Sequence, residues 1–299
     1  MRPIVVIGHA ALDHVYRIES LPPAPGKVRA LEHVDAGGGM AANAAAAIGR
    51  LGGLVELWSR IGEDAAGQSI RASLEADRVD TTHVRAFPGR RSSTAAVIVD
   101  ARGERLIVGE RDHAMSMDAG WLPIARIDAA SVVLSDGRWL EATRLAFARA
   151  RAAGVATVLD ADPGGGGDLR VQIALADYAI LSAAALDELA GPGDDLARLA
   201  IVRALGPRHA GVTRGGEGYT WLGANGSGRQ RAFPVQVVDT TGAGDAFHGA
   251  YALALAEGRD EAECARFAAA VAALKCRRLG ARAGLPTAAE VAALLYATQ

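Results

Sequence analysis

With only two cysteines in 299 residues, Cys264 and Cys276, the chain has no disulfide framework, and the pair lacks the close Cys/His spacing of a zinc site. Both lie in a stretch with helical periodicity and read as buried structural thiols. The seven histidines are scattered along the sequence, with no HExxH or similar cluster to gather a metal. Positive charge is not in excess: a formal net charge of −2 and a pI near 6.4 give no field that would draw the protein to nucleic acid or to an anionic membrane. No uninterrupted apolar run approaches the roughly 18 residues of a membrane helix, and the start, MRPIVVIGHAALD, runs into a strand-like pattern instead of a signal peptide. A cytoplasmic location is the expectation. A Walker-type loop is missing too, because the only Gly-Lys pair, Gly26-Lys27, is followed by Val28 instead of Ser or Thr.

What is present is an ordinary core-forming composition, half hydrophobic and 22% charged, with no linker that divides the chain. One domain over 1–299 is expected. Short β-branched runs at Ile4–Gly8, Val55–Ile61, Ser131–Leu134, Val155–Asp160, Tyr178–Leu181 and Gly211–Thr213 read as buried parallel strands. Alanine-rich stretches at Ala41–Leu51, Gly67–Asp77, Glu141–Ala153 and Asp194–Ala204 carry helical periodicity between them. This alternation predicts an α/β fold, a three-layer α/β/α core around a mainly parallel central sheet. Two β-rich segments interrupt it, about 13–36 and 91–111, the second reading as a hairpin around Ala101-Arg102-Gly103. They are expected to pair into a small β-sheet lid. Gly164–Gly167 reads as a loop after a strand.

The segment richest in chemistry is Val235–Gly249, a strand-like run, then the turn Thr240-Thr241-Gly242-Ala243-Gly244, then a helical pattern to about Glu257. Gly242, Ala243 and Gly244 let the backbone approach a ligand, with their amides at a helix N-terminus, where free N–H groups and the dipole hold anions. Asp245 in the first helical turn has two readings. It is the base that takes a proton from an attacking hydroxyl during phosphoryl transfer, or it is a helix N-cap after a glycine turn. Gly37-Gly38-Gly39 opens a second helix that carries Asn43, whose amide suits sugar hydroxyls; the plain alternative is a tight turn and a polar helical residue. Thr213-Arg214-Gly215-Gly216-Glu217-Gly218 follows a strand, where nucleotide-contacting turns lie in α/β sheets.

Taken together, these residues resemble the ribokinase-like (PfkB) carbohydrate kinases from Ile4 to Pro286. The match rests on DTTGAGDAF at Asp239–Phe247, GGxxxN at Gly38, Gly39 and Asn43, Asp13 after the first strand, and TxGxxG at Thr213, Gly215 and Gly218. The resemblance implies ATP bound by Thr213–Gly218 and Gly242–Gly244, sugar hydroxyls held by Asp13, Gly39 and Asn43, Asp245 as base, and a homodimer through the lid. It also implies Mg2+, with a monovalent cation left open. The NxxE motif of many members is replaced by Ser182-Ala183-Ala184-Ala185, which leaves Asp160 and Asp162 as the candidate metal residues, Asp160 having the alternative of a strand-end structural role.

Within that family the C-terminal stretch and Pro25-Gly26-Lys27 and Asp136-Gly137-Arg138-Trp139 are similar to ketose kinases, sulfofructose kinases above all. There, residues at the positions of Lys27 and Arg138 grip an anionic sugar terminus, a role that a point-charge lysine and a forked arginine suit; surface charge is the alternative. Gly109 replaces that group's asparagine. The reading is transfer of the γ-phosphate of ATP to a primary hydroxyl of a ketose-like sugar, phosphorylated and sulfonated ketoses included. Three rivals remain. A nucleoside kinase of the same fold needs an aromatic platform that a chain with 5% aromatics and only Tyr16 in the lid supplies poorly. A catalytically silent sugar binder would fit the missing NxxE but not the intact GAGD turn. A dinucleotide-binding oxidoreductase would use the formal GxGxxA match at Gly37–Ala42, which does not close the first strand.

Overall fold

Ile4-Val5-Val6-Ile7 is apolar at every position, as a strand covered on both faces must be, and it lies well inside the larger of two sheets. In the computed structural model, which describes residues 2–298 apart from 103, 165 and 166, the chain begins β1 (Ile4–Ile7), β2 (Ala11–Arg17), β3 (Glu32–Gly38), α1 (Met40–Arg50), β4 (Val55–Gly62), α2 (Ala65–Ala76), β5 (Val84–Phe87), β6 (Ser93–Val99) and β7 (Arg105–Glu110). It continues through β8 (Val132–Ser135), α3 (Leu140–Ala153), β9 (Ala156–Ala161), α4 (Leu169–Leu175), β10 (Tyr178–Ser182), α5 (Ala183–Ala190), α6 (Asp195–Arg203), β11 (His209–Thr213), β12 (Tyr219–Gly223), β13 (Gly226–Gln230), α7 (Ala243–Ala256), α8 (Glu261–Lys275) and α9 (Ala288–Ala297).

The nine-stranded sheet runs β13-β12-β11-β10-β9-β8-β1-β4-β5, parallel throughout except for the β11-β12-β13 edge. Alternate residues of β1 feed opposite layers: Ile4 and Val6 join the apolar cluster of α1, α7 and α8, whereas Val5 and Ile7 join that of α3 to α6. The three-layer expectation holds. The short runs read as strands are β1, β4, β8, β9, β10 and β11, each within two residues of its expected start, and the four alanine-rich stretches are α1, α2, α3 and α6.

The two β-rich interruptions pair into a four-stranded sheet, β3-β2-β6-β7, set apart from the large one. Its register puts Asp13, Val15, Ala95 and Val97 on one face. That face buries Val15, Val97 and Val99 with Leu279. His14, Tyr16, His33 and Asp35 share the opposite face with the exposed Leu106 and Val108.

Two sequence readings change. Val235–Val238 is not a strand: the amides of Val238 and Asp239 are drawn to Cys276 O (2.8 and 3.1 Å), and Val237 and Val238 stay exposed. The histidines are not all scattered in space, because pairing of β2 with β3 brings His14 Nδ1 and His33 Nε2 to Asp35 Oδ1, at 2.6 and 3.2 Å. Gly103 of the expected hairpin turn, and Gly165 and Gly166 of the glycine loop, lie outside the described residues. Both cysteines are buried and free, as read. No helix among the described residues is long and apolar enough to cross a membrane.

Helices α1 and α7, which carry Asn43 and Asp245, cross at very short range. A Cβ on Gly249 would stand 2.4 Å from Ala44 O, so only glycine permits the approach. Gly249→Val is therefore expected to pry the helices apart and to lower stability by about 1–3 kcal/mol, read as a lower urea midpoint with unchanged slope.

Candidate active site

Three tight turns meet where the strands of the large sheet end. The first follows β1, where Gly8 lets the chain pass over Asp136; a Cβ there would lie 2.0 Å from the carboxylate. Asp136 is buried and accepts from the amides of His9 (2.8 Å), Arg138 (2.9 Å) and Ala41 (3.1 Å). It thereby supplies the first turn of α1 with the cap that Gly39 cannot give.

The second turn, Gly37-Gly38-Gly39, owes each glycine to a different neighbour. A Cβ would strike the Arg282 guanidinium at Gly37 (2.2 Å), the Asp13 carboxylate at Gly38 (2.2 Å) and His9 O at Gly39 (2.5 Å). Arg282, nearly fully buried, donates to Gly38 O (3.0 Å), Ser73 Oγ (2.9 Å) and Asn43 Oδ1 (3.0 Å). Asn43, so pinned, donates through Nδ2 to Asp245 Oδ2 at 2.7 Å. One N–H of Asn43 is left for a ligand.

The third turn precedes α7. Gly242, at φ +74°, is its N-cap and offers no side chain. Asp245 is not the N-cap, because its carboxylate points across to Asn43. Ala243 N donates to Thr240 O (3.1 Å), which takes it out of the expected anion-holding set. The amides of Gly242, Gly244 and Asp245 have no acceptor among the described residues.

Between these turns and the inner face of the small sheet lies a cleft of about 440 Å³. Of the residues singled out in the sequence, Asp13, Gly39, Asn43, Asp160, Asp162, Thr213, Gly242, Gly244 and Asp245 line it. Gly38 lies beneath Asp13, and Gly215 and Gly218 (φ +51° and +100°) shape the turn after β11 without lining the cleft. Lys27 is exposed and away from the lining. Arg138 is also absent from it: the guanidinium is tied to Asp162 (3.1 Å) and to the carbonyls of Pro163 and Gly164. Ser182 lines the cleft and caps α5 through Ala185 N (3.1 Å). The sequence reading missed His9, Arg105, Arg111 and His248, which also line the cleft, and Arg282 behind it.

Carboxylates dominate the electrostatics. Burial pushes Asp245 up to about 7, helped by the charge of Asp160 and opposed by the Asn43 bond. Burial also lifts Asp13 to about 6 against the pull of Arg282 and His14. Asp160 is raised by burial and by Asp136 and Asp162. His248 is lowered by burial; its Nδ1 lies 2.7 Å from Gly244 O, and its Nε2 lies 3.3 Å from Ile180 O and 3.4 Å from Asp160 Oδ1. Asp160 and Asp162 offer the hard oxygen donors that magnesium takes, Asp162 being also paired with Arg138.

Folding raises Asp245 from the ordinary carboxylate value of 3.8 to about 7, so between those limits the native state binds a proton that the unfolded chain has released. Stability contributed by this group therefore falls as pH rises through that window. Asp245→Asn is expected to melt higher than the native protein at pH 8, with the gap closing towards pH 4 in thermal unfolding.

An open α/β sheet with converging glycine turns, a helix N-terminus with free amides and an adjacent carboxylate is the site of a phosphate-handling enzyme. Residues 1–288 match the model of the pfkB family of carbohydrate kinases. The chain is 30% identical to a ribokinase of Bacillus subtilis over 99% of this chain and 100% of that one. It is 31% identical to fructokinase-1 of Zea mays, covering 98% and 97%. The structure of Arabidopsis thaliana ribokinase complexed with ribose and ATP superposes with a TM-score of 0.85 at 28% identity, covering 98% of each chain. The chain belongs to the pfkB family of carbohydrate kinases and is an ATP-dependent phosphotransferase with an alcohol group as acceptor.

Proposed function

We propose that this kinase transfers the γ-phosphate of ATP to a primary hydroxyl of a ketose-like sugar, with Asp245 as the base. The observation that carries this reading is the Asn43–Asp245 hydrogen bond at the mouth of α7, beside the free amides of Gly242, Gly244 and Asp245. A carboxylate there accepts the hydroxyl proton while the amides and the helix dipole take up charge on the transferring group. Asp245 is suited to the task because burial brings its proton affinity close to neutral pH. Asp13, Gly39 and the remaining N–H of Asn43 hold the acceptor, Thr213 and the turn at Gly215–Gly218 flank the nucleotide, and Arg105 reaches Thr240 from the small sheet. Asp160 and Asp162 would hold magnesium, which when bound neutralises phosphate charge.

The small sheet acts as a lid over the acceptor and excludes water. Its outward face, with Leu106 and Val108 exposed, supports a homodimer through the lids. A sugar is favoured over a nucleoside because no Phe, Tyr or Trp lines the cleft among the described residues, and Tyr16 stacks on His33 on the opposite face. Arg111 lines the cleft where Lys27 and Arg138 do not, so an anionic group on the acceptor would meet Arg111.

The test is ADP release with Mg·ATP across ribose, fructose, fructose 6-phosphate, tagatose 6-phosphate, sulfofructose and nucleosides. Turnover of one ketose is expected, with Asp245→Asn slower by about a hundredfold or more. Turnover confined to a nucleoside, or undiminished in Asp245→Asn, contradicts the reading. Substitution of Arg111 by Met should raise KM for an anionic acceptor and leave a neutral one unchanged.

A further inference from the structure

Lysine is almost absent from this chain: of 32 basic residues, only Lys27 and Lys275 are not arginine. Lys27 is on the surface, but Lys275, the last residue of α8, has no exposure at all. A chain that uses arginine nearly everywhere has kept the compact, point-charge cation at one buried position. Nothing in the phosphoryl-transfer scheme above uses it.

The ammonium donates to Asp239 O at 2.8 Å and lies 3.8 Å from Asp239 Oδ2. Asp239 is the first residue of the turn that leads to Asp245, and its buried carboxylate is fully engaged. Oδ1 accepts from Thr241 N (2.8 Å) and Thr241 Oγ1 (2.7 Å), and Oδ2 accepts from Gly280 N (2.8 Å). The same two segments are held together at Cys276 O, which takes the amides of Val238 and Asp239, and at Gly242, which packs so closely on Ala281 that a Cβ would lie 2.8 Å from its methyl. A single cation thus stands behind the turn that presents the free amides, next to its carbonyl and its carboxylate. Any monovalent ion that served this turn through Asp239 would need those two oxygens.

We propose that Lys275 is a positioning residue whose ammonium takes the place of a monovalent cation, fixing the Asp239–Gly242 turn so that phosphate binding and transfer need no potassium, sodium or ammonium ion. The proposal rests on the kinase reading for its rate effect, but its effect on ATP binding stands apart from the acceptor. The ammonium does not touch substrate. It holds Asp239, and through Asp239 the spacing of the Gly242 and Gly244 amides.

The experiment has two arms at constant ionic strength. In the first, the native protein is assayed for ADP release and, by calorimetry, for ATP affinity in potassium, sodium, ammonium and choline chloride. Equal rates and affinities in all four are expected; strong activation or tighter ATP binding in potassium over choline overturns the proposal. In the second, Lys275→Ala is expected to lose about a hundredfold in rate in choline, as when a positioned anion donor is lost, and to regain much of it with ammonium or potassium but not with choline. A folded Lys275→Ala that keeps its rate, or that no small cation restores, overturns the proposal. If the variant melts below the assay temperature, the first arm decides. If the native protein phosphorylates no acceptor, the kinase reading fails, and the ATP-affinity comparison still tests Lys275.

Discussion

The cleft depends on a buried chain of hydrogen bonds that runs from Arg282 through Asn43 to Asp245. Its members come from a C-terminal loop, from α1 and from α7, each link joins residues more than 200 positions apart, and each fixes the next. Arg282 satisfies Asn43 Oδ1 and Gly38 O, so the amide has one orientation left, with Nδ2 towards Asp245. Such an array is stabilising only when complete, because a partner left alone in a low-dielectric site costs its full desolvation. The glycine at 37 and the close α1–α7 crossing at Gly249 follow from the same need, since both make room for elements that the array draws together.

Around that array the protein gathers acidic groups that would repel one another in the absence of cations. Burial lifts Asp13, Asp160 and Asp245, the last two with the help of neighbouring carboxylates, while the amides of Gly242, Gly244 and Asp245 face the same space without partners. Negative side chains and positive backbone dipoles are thus interleaved within one small volume. That suits a reaction in which a phosphoryl group, its metal and a proton must be accommodated together. Behind the turn Lys275 and Asp239 are the one buried Lys–Asp pair among the described residues, and they set the backbone on which the amides depend.

The regular core was legible in the sequence because its signals are local. Short β-branched runs alternating with alanine-rich helices gave the parallel sheet, and the β-rich segment at about 91–111 gave the hairpin of the small sheet. The GAGD turn was legible as a helix opening, and Asn43 and Asp245, singled out in the sequence, both line the cleft. What escaped was set by partners distant in sequence. Val235–Val238 has strand composition, but its last amide, with that of Asp239, goes to Cys276 O. Ala243 looked like one of three equivalent anion donors until its amide met Thr240 O. Arg138 and Lys27 carried the right charge for an acceptor grip, yet Arg138 is held by Asp162 and Lys27 points to solvent, whereas Arg111 lines the cleft. The β12–β13 edge carries Gly-rich and polar residues that no periodic signal distinguishes from a loop.

The most direct test of the account is a structure of the protein with ADP, aluminium fluoride, magnesium and the acceptor found in the sugar panel. The fluoride group is expected within hydrogen-bond distance of the Gly242 and Gly244 amides, with the acceptor hydroxyl between it and the Asp245 carboxylate and Asn43 still bonded to Asp245. A fluoride group bound away from that turn, or an acceptor hydroxyl out of reach of Asp245, would contradict it.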